Sequence, residues 1–174
     1  MNRKFIFIGV ALLTFTATIP LVFAQTCTVD GVSTSPCIGQ DDASDNIIIT
    51  GTYNGTVSTG TGSDTVSGGT VSTAGSSAIV AAENLTNSAN VNVSTTGNAV
   101  SGIRGGGNVT NSGDVSTTGN AAVGISATTG NVTNSGDVST TGGNALGITA
   151  MNVTNSGYLS TTGSRAPASL RVAM

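Results

Sequence analysis

The dodecamer NVTNSGDVSTTG occupies residues 108–119 and recurs letter for letter at 131–142. A third version, NVTNSGYLSTTG, fills 152–163, and a looser one, NLTNSANVNVSTTG, fills 84–97. The copies begin at Asn84, Asn108, Asn131 and Asn152, so their spacings are 24, 23 and 21 residues. A near-constant period of this length marks a solenoid, in which each repeat is one structural unit stacked on the last. Residues 64–83 follow the same template, with Val71 in the place of Val115, Gly75 in that of Gly119 and Asp64 in the slot of Asn108. Residues 51–61 follow it loosely through Val57. About five or six coils are therefore expected across residues 47–163.

Within each coil, short stretches rich in β-branched residues (NVT, DVST and a third such as AAVGISA) are cut by the turn residues NSG and TGN, which predicts three brief strands and three corners. Val123, Ile125 and Ala127 alternate with the period of two that puts them on one face. Aligned copies give three aliphatic ladders: Leu85, Val109, Val132 and Val153; Val93, Val115, Val138 and Leu159; and Ile103, Ile125 and Ile148. Gly113, Gly136 and Gly157 suit corners that need positive φ, and Asn111, Asn134 and Asn155 suit tight turns that hydrogen-bond along the stack. Glycine and β-branched residues are too dense for helices. One coil cannot cover its own apolar side chains, whereas a stack buries each ladder from above and below. The expected fold is all-β, a parallel β-helix of period 20–24 with rungs about 4.8 Å apart.

Composition agrees with such a thin core. Only 3% of the chain is aromatic and 7% charged, and 25 of its 174 residues are glycine. Residues 1–24 read as a secretory signal peptide: Arg3 and Lys4 precede an apolar run from Phe5 to Leu13, and Ala24 closes a small-residue cleavage site. Thr14, Thr16, Thr18 and Pro20 interrupt that run, which argues against a membrane anchor of roughly 20 apolar residues. No transmembrane helix is expected in the mature chain, which carries three basic against eight acidic residues, a net charge of −5. Nucleic acid and anionic membrane surfaces are not expected as partners, since both call for clustered Lys and Arg.

Cys27 and Cys37 follow the cleavage site, and in an oxidising compartment a disulfide between them is expected, stapling residues 25–46 as an N-terminal cap. A free pair or a metal half-site are the alternatives, the second weakened by the absence of histidine from the chain. After Gly163 the sequence leaves the template, and residues 164–174 form a divergent tail.

The repeats carry little that suggests catalysis. The chain has no histidine and its mature part no lysine, so nucleophile–base chemistry lacks its usual residues, and no cofactor or metal site is expected. Asp114 and Asp137 should stack one coil apart as a solvated corner rather than as a catalytic pair, because Tyr158 replaces them in the next copy. A carbohydrate-cleaving β-helix would need a groove with acidic and basic residues, which the repeats lack. TGTGSDTVS at 59–67 resembles one calcium-binding nonapeptide of the repeats-in-toxin type, but the following nine residues do not complete a site. Asn-x-Thr/Ser triplets at Asn54, Asn84, Asn92, Asn108, Asn131 and Asn152 match glycan acceptors, and the template's own need for Asn and Thr accounts for most of them. With Val115 inward, Ser116 and Thr118 point outward; together with Ser94, Thr96, Ser139, Thr141, Ser160 and Thr162 they would form a hydroxyl array, the candidate contact surface. Such arrays resemble the ice-binding faces of β-helical antifreeze proteins.

The phrase NVTNSGDVSTTG followed by NAxxGI, at 108–125 and with one inserted Gly at 131–148, resembles the degenerate repeat of bacterial autotransporter passenger domains. A signal peptide, a nearby Cys pair and low-charge coils are similar to that family as well. The resemblance implies export through an outer-membrane β-barrel and folding at the cell surface as a right-handed β-helix that displays adhesive modules. Partners would be a host-cell or matrix surface, or an outer-membrane translocator barrel. Only eleven residues follow Gly163, so the chain reads as an N-terminal fragment without the barrel. The function expected is structural display or adhesion without catalysis, in the periplasm, at the cell surface or outside the cell, with ice binding as the alternative.

Overall fold

The computed structural model describes residues 26–30, 44–164 and 170–172. The expected signal peptide, residues 1–24, and Cys37 lie outside the described residues, and with Cys37 the expected disulfide. Strand β1 (Thr26–Asp30) precedes six successive triplets. The first two are β2 (Asn46–Thr50), β3 (Thr52–Asn54) and β4 (Val57–Thr59), then β5 (Ser63–Ser67), β6 (Thr70–Ala74) and β7 (Ile79–Ala81). Next come β8 (Asn84–Asn87), β9 (Asn92–Thr96) and β10 (Ser101–Gly105), then β11 (Val109–Asn111), β12 (Val115–Thr118) and β13 (Val123–Ala127). The last two are β14 (Val132–Asn134), β15 (Val138–Thr141) and β16 (Leu146–Ala150), then β17 (Val153–Asn155), β18 (Leu159–Thr162) and β19 (Leu170–Val172).

Each member of a triplet joins a different sheet, and every pairing is parallel to the strand one turn before and after. The first sheet has seven strands, β1 to β17, the second six, β4 to β19, and the third six, β3 to β18. Five turns thus separate β2 from β17, a parallel β-solenoid with no helix among the described residues. The expected cap begins with β1, which pairs with β2 as a further rung and places Cys27 in register with Ile47. In the divergent tail, β19 continues the second sheet by pairing with β16.

The three ladders are present in the register. Leu85, Val109, Val132 and Val153 align in the first sheet, Val93, Val115, Val138 and Leu159 in the third, and Ile103, Ile125 and Ile148 in the second. Their central members are almost wholly buried and form one continuous core, and only Val153 and Leu159 in the last turn are half-buried. Beside them runs a polar file: Asn87, Asn111 and Asn134 are buried, and each donates a side-chain N–H to the Oδ1 of the Asn one turn on.

Four local expectations are corrected. Val57 lies in register with Ile79 in the second sheet, and Tyr53 occupies the file of Val71 and Val115, because the first turn reaches the third sheet earlier. Asp64 pairs with Leu85, so it sits inside the solenoid rather than at the corner slot of Asn108; its Oδ1 accepts the Asp45 N–H at 3.0 Å. Val123 is half-buried while Gly124 and Ile125 are buried, since the strand enters the core from the preceding Ala122. Gly113, Gly136 and Gly157 do not adopt positive φ. A Cβ on Gly113 would collide with the Val91 carbonyl oxygen one turn below, and one on Gly136 with that of Gly113, so close stacking is what requires glycine there. In these repeats positive φ falls instead at the corners from the third to the second sheet, at Gly119 (φ +151°) with Ala121 (φ 54°) and at Gly142 (φ +144°) with Asn144 (φ 58°), whereas in the earlier turns Gly51, Gly68 and Gly69 adopt it at first-to-third corners.

Candidate functional site

The outer face of the third sheet carries the hydroxyl array. Strands β12 and β15 alternate buried and exposed residues, which sends Val115, Thr117, Val138 and Thr140 inward and Ser116, Thr118, Ser139 and Thr141 outward. Parallel pairing aligns Ser94, Ser116, Ser139 and Ser160 in one file and Thr96, Thr118, Thr141 and Thr162 in a second. The threonines of the second file are exposed, as are Ser116 and Ser139, whereas Ser94 and Ser160 are half-buried. Rungs about 4.8 Å apart, and like-facing side chains about 7 Å apart along a strand, define a regular grid of donors and acceptors. The files start at Ser72 and Ala74 in β6, where Ser94 and Thr96 line a shallow groove of ≈ 410 Å³ against Asn54 and Gly55.

Coil length varies without disturbing this grid. Consecutive first-sheet strands are displaced by 19, 21, 24, 23 and 21 residues from β2 to β17, yet Ser and Thr remain in register. The corners absorb the difference.

The corner carboxylates and amides serve the backbone. Asp114 Oδ1 accepts the Asp137 N–H at 3.1 Å, and Asp137 Oδ1 accepts the Tyr158 N–H at 2.9 Å. Among the triplet asparagines, Asn84 Oδ1 accepts from the Asn108 N–H and Asn108 Oδ1 from the Asn131 N–H, both at 2.9 Å. Each caps an amide of the next turn, which is the role a repeated Asn at that position performs.

A second concave region lies where the second sheet turns into the first. This corner contains two residues between β7 and β8, three between β10 and β11, and four between β13 and β14. Successively longer corners overhang the shorter one below and leave an open groove of ≈ 590 Å³. Glu83 and Arg104 both line it, with Thr128 and Thr129 on the overhanging side. The linear pattern offers no groove with acidic and basic residues; the stacking brings the two together from positions 21 apart. The signal available in the sequence was the run IRGGGN at 103–108, a local departure from the template. Among the described residues no group of three or more His, Cys, Asp or Glu side chains is placed to hold a metal ion.

The fold and its surfaces define a three-sheet parallel β-solenoid with polar outer faces. The chain matches no protein-family model, no curated protein and no solved structure.

Proposed function

We propose that the chain is an exported, autotransporter-passenger-like solenoid that acts by display or adhesion, through extended surface contact rather than catalysis. The observation that supports this reading most is the in-register grid of Ser and Thr on the outer face of the third sheet, which spans β9 to β18. A flat polar face of this kind makes many weak hydrogen bonds at once, and its affinity grows with the number of rungs engaged. The partner is a host-cell or matrix surface, reached after export, with an outer-membrane barrel as translocator.

The test is adhesion of the purified chain to epithelial cells and to plates coated with matrix proteins. Replacing Thr118 and Thr141 by Lys should abolish retention while leaving the fold intact, since both are exposed. Retention indistinguishable from an unrelated acidic β-solenoid of equal length would refute adhesion.

The same register favours a second reading, ice binding, because an aligned hydroxyl lattice survives the variable coil lengths. Inhibition of ice recrystallisation by the wild-type chain, lost in the same double variant, would establish it.

A further inference from the structure

We infer that the groove shared by Glu83 and Arg104 is a subsite for a neutral saccharide bearing adjacent hydroxyl groups, an inference that rests on the adhesion reading above and gives it a ligand class. Charge is scarce in this chain. Glu83 is its sole glutamate, and Arg104 is its only basic residue between positions 5 and 164, yet both line one groove. Both are exposed, and no ion pair joins them among the described residues.

Their hydrogen-bonding capacity is largely open. Glu83 Oε2 accepts the Gly62 N–H at 3.0 Å, which fixes the carboxylate and leaves Oε1 as an uncommitted acceptor. The Arg104 guanidinium carries five donors in a planar fork. A carboxylate that accepts from sugar hydroxyls and a guanidinium that donates to them, both lining one groove, satisfy both roles of such hydroxyls.

The walls fit a small polar ligand. A Cβ on Gly106 would collide with the Ala82 carbonyl oxygen and one on Gly107 with Asn84 Oδ1, so no side chain fills the groove from that strand end. The Thr129 hydroxyl is spent on Gly106 O at 2.7 Å, whereas Thr128 is exposed at the rim. Val80 and Ala82 offer short apolar surface for the C–H face of a sugar ring. The volume, ≈ 590 Å³, falls within the roughly 300–1,000 Å³ typical of small-ligand sites. One negative and one positive charge cancel locally, and the mature chain's net −5 together with Glu83 disfavours an acidic sugar. No aromatic side chain lines the groove, so a single site binds weakly and display of many copies raises the avidity.

The experiment is titration of the ¹⁵N-labelled mature chain with glucose, galactose, mannose and N-acetylglucosamine, and with galacturonate as the acidic probe. At least one neutral sugar should shift the amides of residues 82–83, 104–107 and 128–129. Arg104→Ala and Glu83→Gln should each weaken that sugar by about tenfold, with Thr154→Ala, exposed on the outer face of the first sheet, unchanged; Glu83→Gln keeps an acceptor for the Gly62 N–H, so its fold is retained. Absence of shifts with all four neutral sugars, tighter binding of galacturonate at the same amides, or unaltered affinity in both variants would each overturn the inference. Cell adhesion unaffected by either variant, combined with no sugar-induced shifts, sinks the groove and spares the adhesion reading. Sugar-induced shifts without cell or matrix adhesion do the reverse.

Discussion

Asn111 donates one side-chain N–H to Asn134 Oδ1 at 2.6 Å and the other to Gly113 O at 2.7 Å, and Asn134 repeats both bonds towards Asn155 and Gly136 at 2.6 Å. Each amide therefore closes the corner of its own turn and clamps the turn that follows. The file begins at Asn87 because β5 places Val66 in register below it, and Asn87 Oδ1 is accordingly buried without a partner. Dipoles aligned head to tail in a dry interior strengthen one another.

Asn134→Ala removes the acceptor for Asn111 and strands Gly136 O and Asn155 Oδ1. A buried polar group left unpaired costs about 1–3 kcal/mol, so this substitution should destabilise by several kcal/mol and broaden or split the unfolding transition. Asn155→Ala, at the half-buried end of the file, breaks fewer bonds and should cost less. Urea denaturation of the two variants checks the order, and equal midpoints would show that the file contributes little beyond packing.

Glycine acts in two distinct ways, and two substitutions separate them. Gly136 has ordinary φ but no room, since a Cβ would meet Gly113 O and the backbone of Ser112. Gly75 has room on all sides but φ +80°. Gly75→Ala should cost about 1–2 kcal/mol, the penalty for an L-residue in left-handed backbone. Gly136→Ala must force two turns apart, breaking their ladder bonds, and is expected to prevent folding of the adjacent turns. Amide hydrogen exchange at Val115 and Val138 reports the difference: protection retained in the first variant and lost in the second.

That distinction also marks how far the sequence carries. The ladders of Val93, Val115 and Val138 and of Ile103, Ile125 and Ile148 were readable because parallel in-register stacking turns sequence period directly into spatial neighbourhood. The outward Ser116 and Thr118 followed from strand alternation alone. Gly113 was misassigned because a Ser-Gly corner looks the same whether φ or the carbonyl of the turn below requires it. Asp64 and Val57 were misplaced because the first turns have shorter corners, which slide the template by a residue or more against the sheets. Glu83 and Arg104 escaped notice because their meeting depends on three unequal corner lengths, a property of the stack and not of any one repeat.

Stability should vary along the solenoid, because each turn touches only its neighbours. Ile125 is fully buried between Ile103 and Ile148, so Ile125→Ala removes packing from both sides and should cost about 2–5 kcal/mol. Leu159 has a described partner strand on one side only and is half-buried, so Leu159→Ala should cost clearly less. Thermal unfolding of the pair checks this, and hydrogen exchange in the wild type should show β13 protected far longer than β18. Uniform protection across both strands would mean that the solenoid unfolds as one block.

The inner hydroxyls offer a substitution in the opposite direction. Thr117 and Thr140 face the core at 1% and 0% exposure, and the Oγ1 of each has no hydrogen-bond partner among the described residues. One rung earlier in the same file the Thr73 hydroxyl does reach Thr95 Oγ1, at 2.8 Å, but no such bond continues to Thr117 and Thr140. Thr95, in the same file, escapes this penalty by donating to Ser76 O at 2.7 Å, an acceptor supplied by a turn of different length. Valine keeps the β-branch and nearly the volume of threonine while removing the unpaired group. Thr140→Val should therefore raise stability by about 1 kcal/mol, and Thr95→Val should lower it, because it removes both the bond to Ser76 O and the acceptor of the Thr73 hydroxyl. Opposite shifts in the urea midpoint are the expected result. A loss of stability in Thr140→Val would mean that its hydroxyl is bonded in solution, most simply to a buried water within the solenoid.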